Sequence, residues 1–162
     1  MAKKKYPSTQ AVRFLKDKGI DFIPHQFRYE EKGGTRQCAS ELNVDEHNII
    51  KTLVFETDSN EPFLMLMHGD MEVSEKELSR HIGVKSIKPA SQKDAMKYTG
   101  YQFGGTSPFG TKKDLRTYAE ISIFDLEQIY INCGKPGFLV EIKSSDLEKA
   151  LGIEKVNVGI KK

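Results

Sequence analysis

The chain is poor in the residues that would tie it to a metal, a disulfide framework or a membrane. Among 162 residues there are two cysteines, Cys38 and Cys133, far apart and in no CxxC pair or zinc spacing. That excludes a disulfide mini-protein and leaves both thiols reduced. Cys38 lies with Ala39 and Leu42 at helical spacing and reads as a small core residue. The four histidines, His25, His47, His68 and His81, form no HxxxH or HExxH pattern, so no metal and no other cofactor is called for. No stretch approaches the roughly 20 apolar residues of a membrane helix. The basic start MAKKKYPSTQ has no apolar segment behind it, so the expectation is a cytoplasmic protein with no membrane partner. Neither an internal repeat nor a linker breaks the chain, and its length suits one domain over 1–162.

What is present is an ordinary globular composition, 38% hydrophobic and 30% charged, with an uneven charge distribution. Between Lys85 and Arg116, seven basic residues (Lys85, Lys88, Lys93, Lys97, Lys112, Lys113, Arg116) face two acidic ones, Asp94 and Asp114, a net +5. Residues 117–154 carry a net −4. A one-sided basic stretch suits a nucleic-acid partner, because each neutralised phosphate releases counterions; a solvated helix face gives the same pattern.

Serine and threonine caps divide the chain. Ser8 precedes a first helix that ends at Gly19, Thr35 precedes one carrying Cys38, Ala39 and Leu42, and Ser74, Ser91, Ser122 and Ser145 each stand three residues before an acidic residue. The strand-like runs are 21–27, 49–57, 62–68, 84–88, 116–121, 129–133 and 138–143, with hairpin turns at 56–61 and 134–137. Paired hairpins with interspersed helices predict an α+β fold, a single domain with a curved, mixed, barrel-like sheet surrounded by short helices.

Two features carry chemistry. In the run Ile49 to Phe55 alternate side chains share a face, which puts Lys51 on a strand whose two faces are both apolar. A lysine there needs an anion or a ring of acceptors, or else sits at an edge and snorkels to water. The second feature is Gly100 to Gly110, whose glycines let the backbone approach a ligand and present free N–H groups. Tyr101, Phe103 and Phe109 offer flat faces for a base. The loop matches neither a Walker loop nor GxGxxG, and a long structural turn is the other reading. His25 and His68, near strand ends, read as solvent-exposed.

Three segments together, Ile50-Lys51-Thr52-Leu53-Val54-Phe55, then Thr99-Gly100-Tyr101 through Gly104-Gly105-Thr106-Ser107-Pro108-Phe109-Gly110, then Ile129 to Gly137, resemble the YbaK family of aminoacyl-tRNA deacylases. Its relatives include the editing domain of bacterial prolyl-tRNA synthetase, and the free-standing Cys-tRNA(Pro) deacylase type is the nearest in pattern. The resemblance covers roughly Ser8 to Leu151. It implies release of a wrongly attached amino acid from the 3′ end of tRNA, with aminoacyl-tRNA and prolyl-tRNA synthetase as partners. It implies that Lys51, Gly105, Thr106 and Ser107 carry the reaction, and that His25, Phe27, Thr52, Tyr101, Gly104, Pro108, Phe109 and Leu139 line the substrate site. Tyr101 and Phe109 either stack on adenine or anchor the loop to the core. Two positions depart from the family: Phe27 stands where it has a tyrosine, and Leu139 where it has an aspartate.

Overall fold

The computed structural model describes residues 6–162; the basic start, Met1–Lys5, lies outside them. A hairpin of β2 (Ile49–Thr57) and β3 (Pro62–His68) forms the middle of the sheet. Its turn closes because the Thr57 hydroxyl accepts the N–H groups of Ser59 and Glu61, while Asn60 takes the left-handed conformation. Phe63 to His68 are all buried, as an interior strand requires. To one side of β2 come β7 (Gln128–Lys135), β8 (Phe138–Lys143) and the edge strand β1 (Ile23–Gln26). Beyond β3 come β6 (Arg116–Glu120) and β9 (Ile153–Val156), and β5 (Ile87–Pro89) joins β2 off this path. Parallel and antiparallel pairs mix, giving the expected α+β architecture.

Five α-helices pack around the sheet. For α1 (Gln10–Asp17) the cap is Thr9, one residue beyond the expected Ser8; its hydroxyl accepts the Val12 N–H and donates to the Cys133 carbonyl. Ser74 and Ser91 cap α3 (Glu75–Ile82) and α4 (Gln92–Thr99) as anticipated, each accepting the N–H three residues on, a contact worth about 1 kcal/mol. Thr35 is no cap. It sits inside α2 (Gly34–Leu42) and donates to Glu46 Oε2 and the Gly69 carbonyl, fastening that helix across the β3 end. Ser122 falls in a 3-10 turn (Ile121–Asp125) rather than heading an α-helix, and its hydroxyl meets His68. Ser145 lies inside α5 (Ser144–Ala150) and makes no cap bond, since the chain enters the helix straight from β8.

The anticipated strand at 84–88 is displaced to β5. Two short strands, β4 (Met71–Val73) and β10 (Gly159–Lys161), form a separate ribbon. The main core lies under α1 and α5 on one sheet face, with Leu15, Tyr101, Phe109, Ile123, Ile131 and Leu147 at its centre. On the other face a smaller cluster beneath α2 joins Ala39, Ile49 and Leu139, with Phe27, Cys38, Leu42 and Tyr130 packed against it. That smaller cluster borders the candidate site.

Candidate active site

The register of four strands decides which side chains meet. Ile49 lies beside Tyr130, Tyr130 opposite Glu141, and Leu139 opposite both Asn132 and His25. Paired residues share a face and so do residues two apart. His25, Leu139, Glu141, Tyr130, Asn132, Ile49 and Lys51 therefore line the surface beneath α2. His25 Nε2 meets Glu141 Oε1 at 3.0 Å, and its ring lies 5.5 Å from that of Tyr130. Phe27 continues this wall, its N–H bonded to the Gly137 carbonyl.

Lys51 is half-buried where the sheet splits. On the β7 side, β2 is paired only at Ile49 and Ile50, and β5 takes up the edge again from Phe55. Burial pushes the Lys51 ammonium down from its ordinary value, Lys162 adds to the shift, and Glu72, Glu46 and Asp70 oppose it. A half-buried cation with no salt bridge among the described residues is suited to an incoming anion. Thr52, one residue on, points to the opposite face of β2. Its hydroxyl oxygen is buried without a hydrogen-bond partner among the described residues.

The glycine loop reaches this face at its tip. Gly105 N–H donates to the Gln102 carbonyl at 2.9 Å, closing a turn with Gly104 at φ +87°. Asn132 Nδ2 donates to the Gly104 carbonyl at 2.9 Å, which ties the tip to the Lys51 face. A Cβ on Gly105 would stand 2.8 Å from Pro136 Cδ, so only glycine allows the turn to lie on the β7–β8 connection. The Gly105 N–H is spent inside the turn, whereas those of Gly104 and Thr106 have no partner among the described residues.

The rest of the loop packs inward. Tyr101 is 6% exposed and Phe109 0%; both belong to the main core, and the Tyr101 hydroxyl donates to the Phe109 carbonyl. Phe109 offers no face to adenine, and Tyr101 reaches the surface only in the cleft beside the loop. Ser107 is fully buried with its hydroxyl accepting the Phe109 N–H, and Pro108 is buried too, so their side chains shape the loop from within. The aromatic left facing out is Phe103, 64% exposed. Asn132, Tyr130 and Glu141 join the site although sequence spacing did not single them out, and Tyr29, two residues beyond Phe27, abuts Gly104. Asn132 and Tyr130 alternate with the core residues Ile129 and Ile131, and that alternation was the available signal.

His68 is not exposed. It is fully buried, its Nδ1 at 2.7 Å from the His47 carbonyl and Nε2 at 2.8 Å from Ser122 Oγ, with the two imidazoles stacked at 3.7 Å. His47 in turn meets Asp70 at 2.9 Å. Ligand atoms of His47, His68 and Asp70 fall within 4.8 Å of one another, but a metal would have to displace a hydrogen bond that His68 already makes. Burial lowers the His68 pKa from 6.5, the charge of His47 adding to this and Asp70 and Glu120 opposing it. The unfolded chain therefore takes up the proton first as pH falls. The stability is present above pH 6.5 and is lost below it, down to the folded pKa. Thermal midpoints measured from pH 7.5 to 5 should fall less steeply for His68→Asn than for the parent; equal slopes would remove His68 from this role.

The seven basic residues of 85–116 are all exposed, from the turn before β5 through β5, α4 and the segment before β6 to the first residue of β6, and α4 runs directly into the glycine loop. Among the described residues no helix is long and apolar enough to cross a membrane.

A mixed sheet with a lysine slot under a glycine turn defines a class, and comparison with known proteins gives it a family. The aminoacyl-tRNA editing domain matches residues 30–150, and the chain belongs to that family. It is 30% identical over 144 residues to a candidate Cys-tRNA(Pro)/Cys-tRNA(Cys) deacylase, EbsC, of Enterococcus faecalis, covering 88% of each chain. It is also 32% identical over 102 residues to the proline–tRNA ligase of Ligilactobacillus salivarius, of which those residues span 18%, against 63% of this chain. The crystal structure of a candidate trans-editing enzyme for prolyl-tRNA synthetase shares the fold at 19% identity, with a TM-score of 0.82 over 97% of this chain and 99% of that one.

Proposed function

We propose that this chain is a trans-editing deacylase that releases a wrongly attached amino acid, cysteine, from the 3′ end of tRNA(Pro). The observation that carries the reading is the half-buried Lys51, set at the end of an apolar wall of Phe27, Ile49 and Leu139 below the glycine turn. An aminoacyl ester is already activated, so positioning and charge stabilisation suffice. Lys51 holds the phosphate of the terminal nucleotide. The N–H groups of Gly104 and Thr106 receive the charge that develops on the ester oxygen. The nucleophile comes from the substrate: its thiol attacks its own carbonyl carbon, the bond to the ribose oxygen breaks, and the thiol proton passes to that oxygen as a cyclic thiolactone leaves. Burial pushes the protein's own thiols up, Cys38 to about 11 and Cys133 to about 12, so neither supplies a thiolate near neutral pH.

Phe27, half-buried beside the packed Ile49 and Leu139, keeps this end of the face apolar, which suits a small uncharged side chain. The exposed basic residues around α4 meet tRNA phosphates, and prolyl-tRNA synthetase as partner supplies the choice of tRNA. The test follows ester loss from Cys-tRNA(Pro) and Ala-tRNA(Pro) in parallel. Faster loss of the cysteinyl ester is the expected result. Loss of the alanyl ester alone would replace the thiol route by a positioned water, and tight binding with loss of neither would make the chain a binding module.

A further inference from the structure

A concavity lies next to the glycine turn. It is a cleft of about 480 Å³ between the entry to α1 and the β7–β8 connection, lined by Pro7, Thr9, Gln102, Lys135 and Pro136 among others. Its size is within the range of small-ligand sites. Pro136 belongs to both places, since it lines the cleft and packs on Gly105. The turn Gln102–Gly105 is therefore the partition between cleft and Lys51 face, and a turn of this kind is less than about 7 Å across.

Phe103 stands at the crest of that partition. At 64% it is the most exposed large hydrophobic side chain among the described residues, and it belongs to none of the core clusters described there. The backbone beneath it is fixed on several sides: Gly105 N–H to Gln102, Asn132 to the Gly104 carbonyl, Tyr29 against Gly104 and Pro136 against Gly105. A flat apolar ring on a rigid turn, beside an amide (Gln102) and an ammonium (Lys135), is the chemistry that takes a nucleobase and its phosphate.

We propose that the cleft and Phe103 hold the second nucleotide of a single-stranded RNA 3′ end, the one immediately before the terminal adenosine. This rests on the reading of the chain as acting on a tRNA 3′ end. Phe103 is then a positioning residue: its ring stacks on the penultimate base, Gln102 meets that base's polar edge, and Lys135 meets the phosphate. The strand crosses the partition once, with its last nucleotide entering the Lys51 face.

The test compares binding of the RNA trinucleotide CCA with that of adenosine 5′-monophosphate, by calorimetry, for the parent and Phe103→Ala. Stacking of one base is worth about ten- to hundredfold in affinity. The parent should bind CCA more tightly than the mononucleotide. Phe103→Ala should lose about tenfold or more for CCA and nothing for the mononucleotide. On aminoacyl-tRNA the same variant should raise KM with kcat unchanged. Equal affinity of the parent for both ligands, or an equal change on both in the variant, overturns the second subsite while leaving the deacylase reading intact. Binding of neither by the parent, together with no ester loss, overturns both. Phe103 is exposed, so loss of folding does not confuse the result; Gln102→Ala provides a second variant on the cleft side.

Discussion

Lys51→Ala should lower deacylation by about a hundredfold or more, the scale of losing a group that positions the reacting ester. The loss should appear with every misacylated tRNA the parent accepts, because the lysine acts on the nucleotide and not on the amino acid. Stability should change little. Burial already disfavours the Lys51 ammonium, so its removal relieves a desolvation cost. Against that, Glu46, Glu72 and Asp70 lose a nearby positive charge. Lys51→Met, which keeps the stem, should match the alanine variant in activity and stay closer to the parent in thermal midpoint. Unchanged ester loss in a folded Lys51→Ala protein would remove the lysine from the reaction.

Much of this site was legible where the chain is regular. Alternation in Ile49 to Phe55 places Lys51 on one face with Ile49 and Leu53, and the registers of β2 with β7 and of β7 with β8 extend that face to Leu139 and His25. Where the chain is irregular no period exists to say which side chain turns inward. Tyr101 and Phe109 flank the same loop as Phe103, yet two are core and one is solvent-exposed, a division made by the Tyr101 hydroxyl bonding the Phe109 carbonyl. Thr35 and Ser122 carry cap-like spacing, but distant partners, Glu46 with Gly69 and His68, take their hydroxyls. The stacking of His47 on His68 joins residues 21 apart across the start of β2 and the end of β3, and spacing rules for metal ligands say nothing of such a contact. The short ribbon of β4 and β10 escapes for another reason. Strands of three residues have too few alternations to read, although this pair brings Lys162 within electrostatic reach of Lys51.

Gly105→Ala should cost about a hundredfold in kcat/KM with a fall of a few degrees in thermal midpoint. The new Cβ would stand 2.8 Å from Pro136 Cδ, 2.9 Å from Pro136 N and 3.0 Å from the Lys135 carbonyl carbon. These are ring and backbone atoms that cannot swing aside, so the turn itself must lift off the β7–β8 connection. Lifting it stretches the Asn132 bond to the Gly104 carbonyl, the link that holds the Gly104 and Thr106 amides over the Lys51 face. A misplacement of about 1 Å is enough for a loss of about 10²-fold. Gly152→Ala is the matching control, since its Cβ would meet nothing within 4 Å and its backbone is not in the left-handed region. Gly104→Ala tests the other half of the turn. There the left-handed φ of +87° adds about 1–2 kcal/mol of backbone strain to the 2.6 Å approach of the Tyr29 hydroxyl. Shortening Tyr29 to alanine would relieve only the contact, so the double variant Gly104→Ala/Tyr29→Ala should remain less stable than Tyr29→Ala alone. Parent-like turnover in Gly105→Ala would mean that the turn does not set the geometry of the reacting ester, and the oxyanion would have to be received elsewhere on the Lys51 face.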